Sequence, residues 1–359
     1  MSIASSENTD CNILGEIVGG IGIISLNKPA RLNALSLDMF RDIYQYLCDW
    51  ENDDKVRAVL IKSTSEKAFC AGGDVKDAAE EANAARSGGA HGQMVRDLFR
   101  EEYILNSKIN HYPKPYISLL NGIVMGGGVG ISLHGSHNIV SDTTKCAMPE
   151  TKIGFFPDIG FGAFYKDMPG RTGLYMALTS AMISGQEMAA LGLATHMMPH
   201  ADWDALTQEL VDSDDIEEVL DPYSIIERPY FLLQEKIDHY FKYNTVAEIM
   251  ETLSSETEDE WCQQTYQAIL ERCPMSVKVS LTHYLKAVSA NSFDEIIRMD
   301  YRLSQNMAWR RDFYEGVRAL LIDKDMNPRW SPDRLGSVHD SDVDALFGPC
   351  QNGEQDISV

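Results

Sequence analysis

Two stretches of bare backbone stand out for the chemistry they could support. In "NGIVMGGGVGISLHG", Asn121 to Gly135, three consecutive glycines interrupt an uncharged apolar run. In "KAFCAGGDVK", Lys67 to Lys76, Ala71, Gly72 and Gly73 stand ahead of Asp74. Glycine inside a helix or strand costs about 0.5 to 1 kcal/mol relative to alanine, so its presence there calls for a reason. If Ile117 to Leu120 is a strand and Val129 to His134 is helical, the triplet lies where a strand turns into a helix N-terminus. Unpaired N–H groups and the helix dipole attract negative charge at such a point. Tight strand–helix packing would account for one such segment equally well. Two of them, each after a strand-like run, can aim one N–H apiece at the same oxygen. That is an oxyanion hole, worth ~3 to 4 kcal/mol per donor in acyl chemistry or enolisation. A phosphate loop is the rival use of glycine, but neither G-x-x-x-x-G-K-[ST] nor a full G-x-G-x-x-G is present.

The elements that must position these segments can be read from apolar periodicity. "ILGEIVGGIGIISLN" predicts two short strands joined by a turn at Gly19 and Gly20. "RAVLIKST", "PYISLLNG" and "HNIVSDTTKCAMPE" supply further strands. Between them, "SLDMFRDIYQYLCDWEND" predicts a helix capped by Ser36, with Leu37, Phe40, Ile43, Tyr44 and Leu47 on one face. Strands alternating with helices imply an α/β core with largely parallel pairing. After about Asp202 strand-like runs give way to acids and then to helical patterns. The expected organisation is a core over 1–201, an acidic connection over 202–235 and a helical region over 236–359.

Composition narrows the function classes. The 359 residues carry a formal charge of −23, and no dense Lys/Arg run offsets it, which disfavours nucleic acid or an acidic membrane as partner. Cys11, Cys48, Cys70, Cys146, Cys262, Cys273 and Cys350 lack CxxC spacing, which fits a reducing compartment. The uncharged run from Ile117 to Leu133 reads as buried strand plus buried helix, not as a membrane span. The N-terminus shows neither a secretory nor an Arg-rich targeting pattern, and "DISV" is no peroxisomal signal. A bacterial cytoplasmic protein is expected, or a mitochondrial-matrix protein if the chain is a processed eukaryotic form.

The pair "KAFCAGGDVK" and "NGIVMGGGVG", together with the early "LNKPARLNALSLDM", resembles the signature of the crotonase (enoyl-coenzyme A hydratase/isomerase) superfamily. The resemblance implies a ββα spiral core followed by a C-terminal helical region. It implies that Gly73 and Gly127 supply the two N–H donors to an acyl-coenzyme A thioester carbonyl, with Ala71 and Gly72 lining the same segment. Hydratases of the superfamily carry one catalytic glutamate two residues after the triplet, where this chain has Gly130, and a second at the position of Glu150. Simple hydration thereby lacks one of its acids. In its place stand Asp158, eight residues beyond Glu150, and "REEYILN", which could aim Glu102 at the same pocket. With the late "YRLSQ" and "EGVRALLIDKD", these features resemble a thioester-hydrolysing branch. The implied reaction is hydrolysis of a 3-hydroxyacyl thioester, 3-hydroxyisobutyryl-coenzyme A first, a step of valine breakdown. Glu102, Gly127, Glu150 and Asp158 would contact the substrate, and Glu150 would act as base or nucleophile. An enoyl-coenzyme A hydratase or isomerase using Glu150 alone is the alternative, and a non-catalytic coenzyme A-binding protein is another. No cofactor is expected beyond the coenzyme A of the substrate, and the partner to look for besides the substrate is a second copy of the chain, as a homo-oligomer.

Several other residues have plainer readings. His134 and His137 lack an acid or cysteine at ligand spacing, so no metal site is expected. No serine has a G-x-S-x-G setting. Cys70 reads as packing, Phe155 and Phe156 as pocket wall or core, and Lys28, Arg31 and Lys76 as surface charges that could meet coenzyme A phosphates.

Overall fold

The computed structural model describes residues 11–86, 88, 92–350 and 354–359. Residues 1–10, most of the N-terminal segment read above for targeting signals, lie outside them. Among the described residues ten strands form two sheets. The larger contains β1 (Ile13–Val18), β2 (Ile21–Leu26), β3 (Ala58–Ser63), β5 (Tyr116–Leu120), β7 (His137–Val140) and β10 (His196–Met197), in the order β1-β2-β3-β5-β7-β10. The smaller contains β4 (Ala68–Cys70), β6 (Ile123–Met125), β8 (Lys145–Ala147) and β9 (Ile183–Ser184), in that order. The β1–β2 hairpin is antiparallel and turns at Gly19 and Gly20, both at positive φ as a tight primed turn requires. From β2 onward the large sheet is parallel.

The ββα spiral is visible in the repeat. Each central strand of the large sheet is followed within a few residues by a short strand of the small one: β3 by β4, β5 by β6, β7 by β8. The β5–β6 corner needs Gly122, at φ +56, because a Cβ there would lie 2.2 Å from the Lys67 carbonyl oxygen. Since β4, β6 and β8 pair in parallel, their C-terminal ends emerge at one edge. The residues that follow each of them are therefore delivered to the same place.

Parallel strands covered on both faces should be apolar throughout, and β2, β5 and β7 are buried at every position. One face packs on the helix Leu37–Glu51, which buries Met39, Phe40, Ile43, Leu47 and Trp50. Tyr44, expected on that face, is turned toward solvent because the apolar stripe is centred one position away, on Met39 and Trp50. Ser36 stands at the N-cap, although its side chain makes no capping bond.

The opposite face shows what composition concealed in the acidic segment 202–235. Its helices Trp203–Asp212 and Ile216–Leu220 place Trp203, Leu206, Leu210, Ile216 and Leu220 on Ile21, Ile23, Leu60, Ile117, Leu119 and Ile139. The acids face water while every third or fourth residue covers the sheet. Beyond residue 236 the chain is helical, and its apolar residues join the same core cluster as the strands, down to Ile357.

Candidate active site

The edge where β4, β6 and β8 end is the floor of a cavity of about 330 Å³. Ala71, Gly72 and Gly73 follow β4, Gly126 and Gly127 follow β6, and Pro149 and Glu150 follow β8; all seven line it. Glu102 enters from the helix Gln93–Asn110, and Asp158 from the loop after the 3₁₀ turn Glu150–Ile153. Ala71, Gly72, Gly73, Glu102, Gly127, Glu150 and Asp158, singled out from the sequence, thus share one pocket.

The N–H groups of Gly73 and Gly127 donate to no backbone carbonyl among the described residues, whereas the flanking Ala71 and Asp74 bond to Leu32 and Leu35. The two glycines adjoin: a Cβ on Gly127 would lie 3.2 Å from the Gly73 nitrogen. The glycine run has a further purpose. A Cβ on Gly126 would lie 2.9 Å from Glu150 Oε1, and one on Gly127 would lie 2.6 Å from Glu102 Oε1. Bare backbone leaves room for carboxyl groups as well as for a ligand.

Position 130 explains the missing hydratase acid sterically. A Cβ there would meet Asn106 Nδ2 at 2.8 Å and Ile159 Cβ at 3.1 Å. The space a glutamate would need is taken by these two side chains.

Glu102, Glu150 and Asp158 are 5 %, 6 % and 5 % exposed, so the three carboxyl groups share one poorly hydrated space. Burial pushes the Glu150 carboxyl well above the usual carboxylate range, with the charge of Asp158 adding to the effect. Glu102 rises for the same two reasons. Asp158 is raised to about 7 by burial; the hydrogen bond from Tyr103 opposes the rise and the charge of Asp300 adds to it. Protons are therefore held at this site at a pH where solvated carboxylates have lost them, a condition for acid/base work. Glu150 Oε2 has no protein partner among the described residues.

Tyr103, next to Glu102, donates its hydroxyl proton to Asp158 Oδ2 at 2.5 Å. The turn after Asp158 is held in an uncommon conformation. Ile159 has φ +57, an outlier for a β-branched residue that costs about 1 to 3 kcal/mol, and Gly160 follows at φ +74. The ring of His134 donates from Nε2 to the Ile159 carbonyl at 2.6 Å, and burial lowers that ring to about 4. Its task is to fix this turn. An aromatic wall closes one side of the cavity: Phe99 stacks on Phe155 at 5.0 Å, and Phe155 meets Phe313 at 5.2 Å. Leu320 and Leu321, from the one turn of π-helix Arg318–Ile322, complete it.

Other sequence candidates lie elsewhere. Cys70 is buried, its thiol pushed up to about 12 by burial. Phe156 does not line the cavity and packs on His283. Lys28 pairs with Asp74 at 3.4 Å, Arg31 is exposed, Lys76 is half-buried, and none of the three lines the cavity. His137 lies near Glu217. Sequence reasoning missed Tyr103, Asn106, Phe99 and Phe313. Only Tyr103 carried a usable signal, as the immediate neighbour of an acid on a predicted helix.

Bare N–H groups at the ends of two ββα repeats, facing acids on a third, define an acyl-thioester site of the crotonase kind. The chain belongs to the enoyl-CoA hydratase/isomerase family, whose model matches residues 21–347. Among its relatives, the mitochondrial 3-hydroxyisobutyryl-CoA hydrolase of Danio rerio is 40% identical, covering 99% of this chain and 93% of the relative. The human enzyme of that name is 38% identical over 95% of this chain and 90% of its own length. Among solved structures, a carnitinyl-CoA dehydratase from Mycobacterium thermoresistibile superposes with a TM-score of 0.87 at 37% identity, covering 95% of this chain and 97% of that one. An enoyl-CoA hydratase from Rhodobacter sphaeroides reaches 0.83 at 31% identity, covering 94% and 98%.

Proposed function

We propose that this protein hydrolyses the thioester of 3-hydroxyisobutyryl-coenzyme A to 3-hydroxyisobutyrate and coenzyme A. The observation that carries the proposal is the set of three buried carboxyl groups facing two free backbone donors, with position 130 closed to the second acid of a hydratase. The names borne by the relatives point the same way.

In this scheme the thioester oxygen accepts from Gly73 and Gly127, which stabilise the negative charge that develops as the carbonyl carbon becomes tetrahedral. Glu150 is the group that acts on the carbonyl, directly or through water. It either takes a proton from water as that water attacks, or attacks directly to form a mixed anhydride that water then opens. In both routes the thiolate of coenzyme A leaves and is protonated and one water is consumed; its oxygen ends in the product where water attacks the acyl carbon, and on Glu150 where water opens the anhydride at the glutamyl carbon. Asp158, held by Tyr103, accepts the hydrogen bond of the substrate's 3-hydroxyl, and Glu102 orders the substrate or water beside Gly127. The chemistry takes no cofactor beyond the coenzyme A of the substrate.

The mitochondrial enzymes named above favour the matrix over a bacterial cytoplasm as the compartment. Among the described residues no helix is long and apolar enough to cross a membrane. A homo-oligomer belongs to the same proposal, and sedimentation would read it.

The dehydratase and the hydratase among the solved structures make hydration the reading to test against. A panel of acyl-coenzyme A thioesters is incubated with pure protein, and free thiol and loss of the enoyl absorbance are followed in parallel. The expected result is fastest thiol release from 3-hydroxyisobutyryl-coenzyme A. Rapid hydration of crotonyl-coenzyme A without thiol release would overturn it.

A further inference from the structure

Outside the cavity, two fully buried side chains take no part in the steps above. His283, on the helix Pro274–Ala287, and Asp300, on the helix Phe293–Met307, both have 0 % side-chain exposure. His283 Nε2 donates to Asp300 Oδ1 at 2.6 Å. The other carboxyl oxygen, Asp300 Oδ2, accepts the Gly160 N–H at 2.8 Å. Gly160 is two residues beyond Asp158 and belongs to the left-handed turn that presents it.

We propose that His283 and Asp300 are positioning residues for Asp158: the pair clamps the Gly160 amide, and through it sets where the Asp158 carboxyl stands relative to the substrate's 3-hydroxyl. This rests on the assignment of Asp158 to that hydroxyl.

Three features support it. The turn is pinned from opposite sides, by His134 on the Ile159 carbonyl and by Asp300 on the adjacent Gly160 N–H, which is the over-determination that two successive positive-φ residues need in order to persist. The polar pair is placed where a core would otherwise be apolar, among Phe156, Tyr165 and Ile296. Burying such a pair costs free energy, the more so because His283 Nδ1 has no partner among the described residues, and Gly160 is the only backbone group that Asp300 serves among them. Finally, a Cβ on Gly162 would lie 3.1 Å from the His283 ring, so the ring also packs directly on the chain leaving the turn.

The test compares kcat and KM for 3-hydroxyisobutyryl-coenzyme A and isobutyryl-coenzyme A in wild type, His283→Phe, His283→Gln and Asp300→Asn. Phenylalanine keeps the ring volume and removes the donor, glutamine restores a donor, and asparagine keeps the shape of Asp300 without its second acceptor. A displacement of about 1 Å at a reacting site can cost ~100-fold. His283→Phe and Asp300→Asn should therefore lose ~10- to 100-fold in kcat/KM on the hydroxylated thioester and far less on the other, with the ratio moving toward unity. His283→Gln should recover most of the loss. Folded His283→Phe and Asp300→Asn proteins that keep the wild-type ratio would overturn the proposal. So would equal losses on both thioesters without rescue by glutamine. Should both variants fail to fold, amide exchange by NMR on the wild-type protein decides: protection of the Gly160 N–H equal to that of the Phe293–Met307 helix supports the clamp, and exchange at the rate of a solvated loop overturns it. A wild-type enzyme that releases thiol without preferring the hydroxylated substrate would refute the role of Asp158 itself, an outcome separate from failure of the clamp.

Discussion

Replacing Gly127 with alanine separates catalysis from stability at a single atom. Gly127 has no left-handed backbone angle, so alanine is conformationally acceptable there. The added methyl carbon would lie 3.5 Å from Leu35 Cδ1, an ordinary contact, 3.2 Å from the Gly73 nitrogen, where the backbone must give by a few tenths of an ångström, and 2.6 Å from Glu102 Oε1, the far end of a side chain that can swing away. Helix propensity gives back part of any strain, so net stability should change by no more than about 1 kcal/mol. For a chain of this size that corresponds to a shift in Tm of about 3 °C or less. The same carbon, however, stands in the shell where a thioester oxygen must lie, about 2.7 to 3.1 Å from the donors. Loss of one oxyanion donor costs ~10²- to 10³-fold in kcat, so an obstructed pair should cost at least ~10³-fold. Thiol release from 3-hydroxyisobutyryl-coenzyme A, followed beside a thermal melt, gives both quantities. A Gly127→Ala enzyme with the expected Tm and turnover within about tenfold of wild type would refute the assignment of Gly73 and Gly127 to the carbonyl.

Glu150→Gln should lower turnover by at least ~100-fold in the same assay, the scale of a lost acid/base group; near-normal turnover would move the chemistry elsewhere. For Asp158→Ala, kcat/KM for the hydroxylated substrate should fall while its ratio to isobutyryl-coenzyme A moves toward unity, since an unpaired buried carboxylate no longer penalises the analogue; equal slowing of both would place Asp158 in the bond-breaking step. Because burial raises the folded-state value of Asp158 from 3.8 to about 7, the neutral form is the favoured one in the folded protein. Its contribution to stability is then present below about pH 4 and lost as pH rises through about 7. Asp158→Asn should accordingly be more stable than wild type at pH 8, by at most about 4 kcal/mol, with the gap closing toward pH 4; a gap that does not vary with pH would contradict this. Cys70→Ala should keep turnover within about threefold, and iodoacetamide should leave the native enzyme active, since a buried thiol held up at about 12 offers no thiolate.

Much of the site was legible in the chain because local chemistry demanded it. Glycine triplets are costly in the core, so Gly72, Gly73, Gly126 and Gly127 announced themselves by type and spacing. Glu102, Glu150 and Asp158 were carried by the resemblance to the crotonase superfamily, and the structure buries all three. The alternation of apolar runs gave the parallel core, and Gly130 signalled a departure from hydration. Tertiary structure decided what depends on distant segments meeting. The sequence shows three separate short strands; only their parallel pairing brings the residues after β4, β6 and β8 to one edge. Nothing local marks Asp300 as the acceptor for an amide 140 residues away, or Phe313 and Leu321 as the wall of a pocket floored by residues 71–73. In the acidic connection charge dominates the composition, and the five side chains that cover the sheet acquire meaning only once the sheet exists. A residue's type is a property of the chain, but burial, proton affinity and partnership are properties of what the fold places around it.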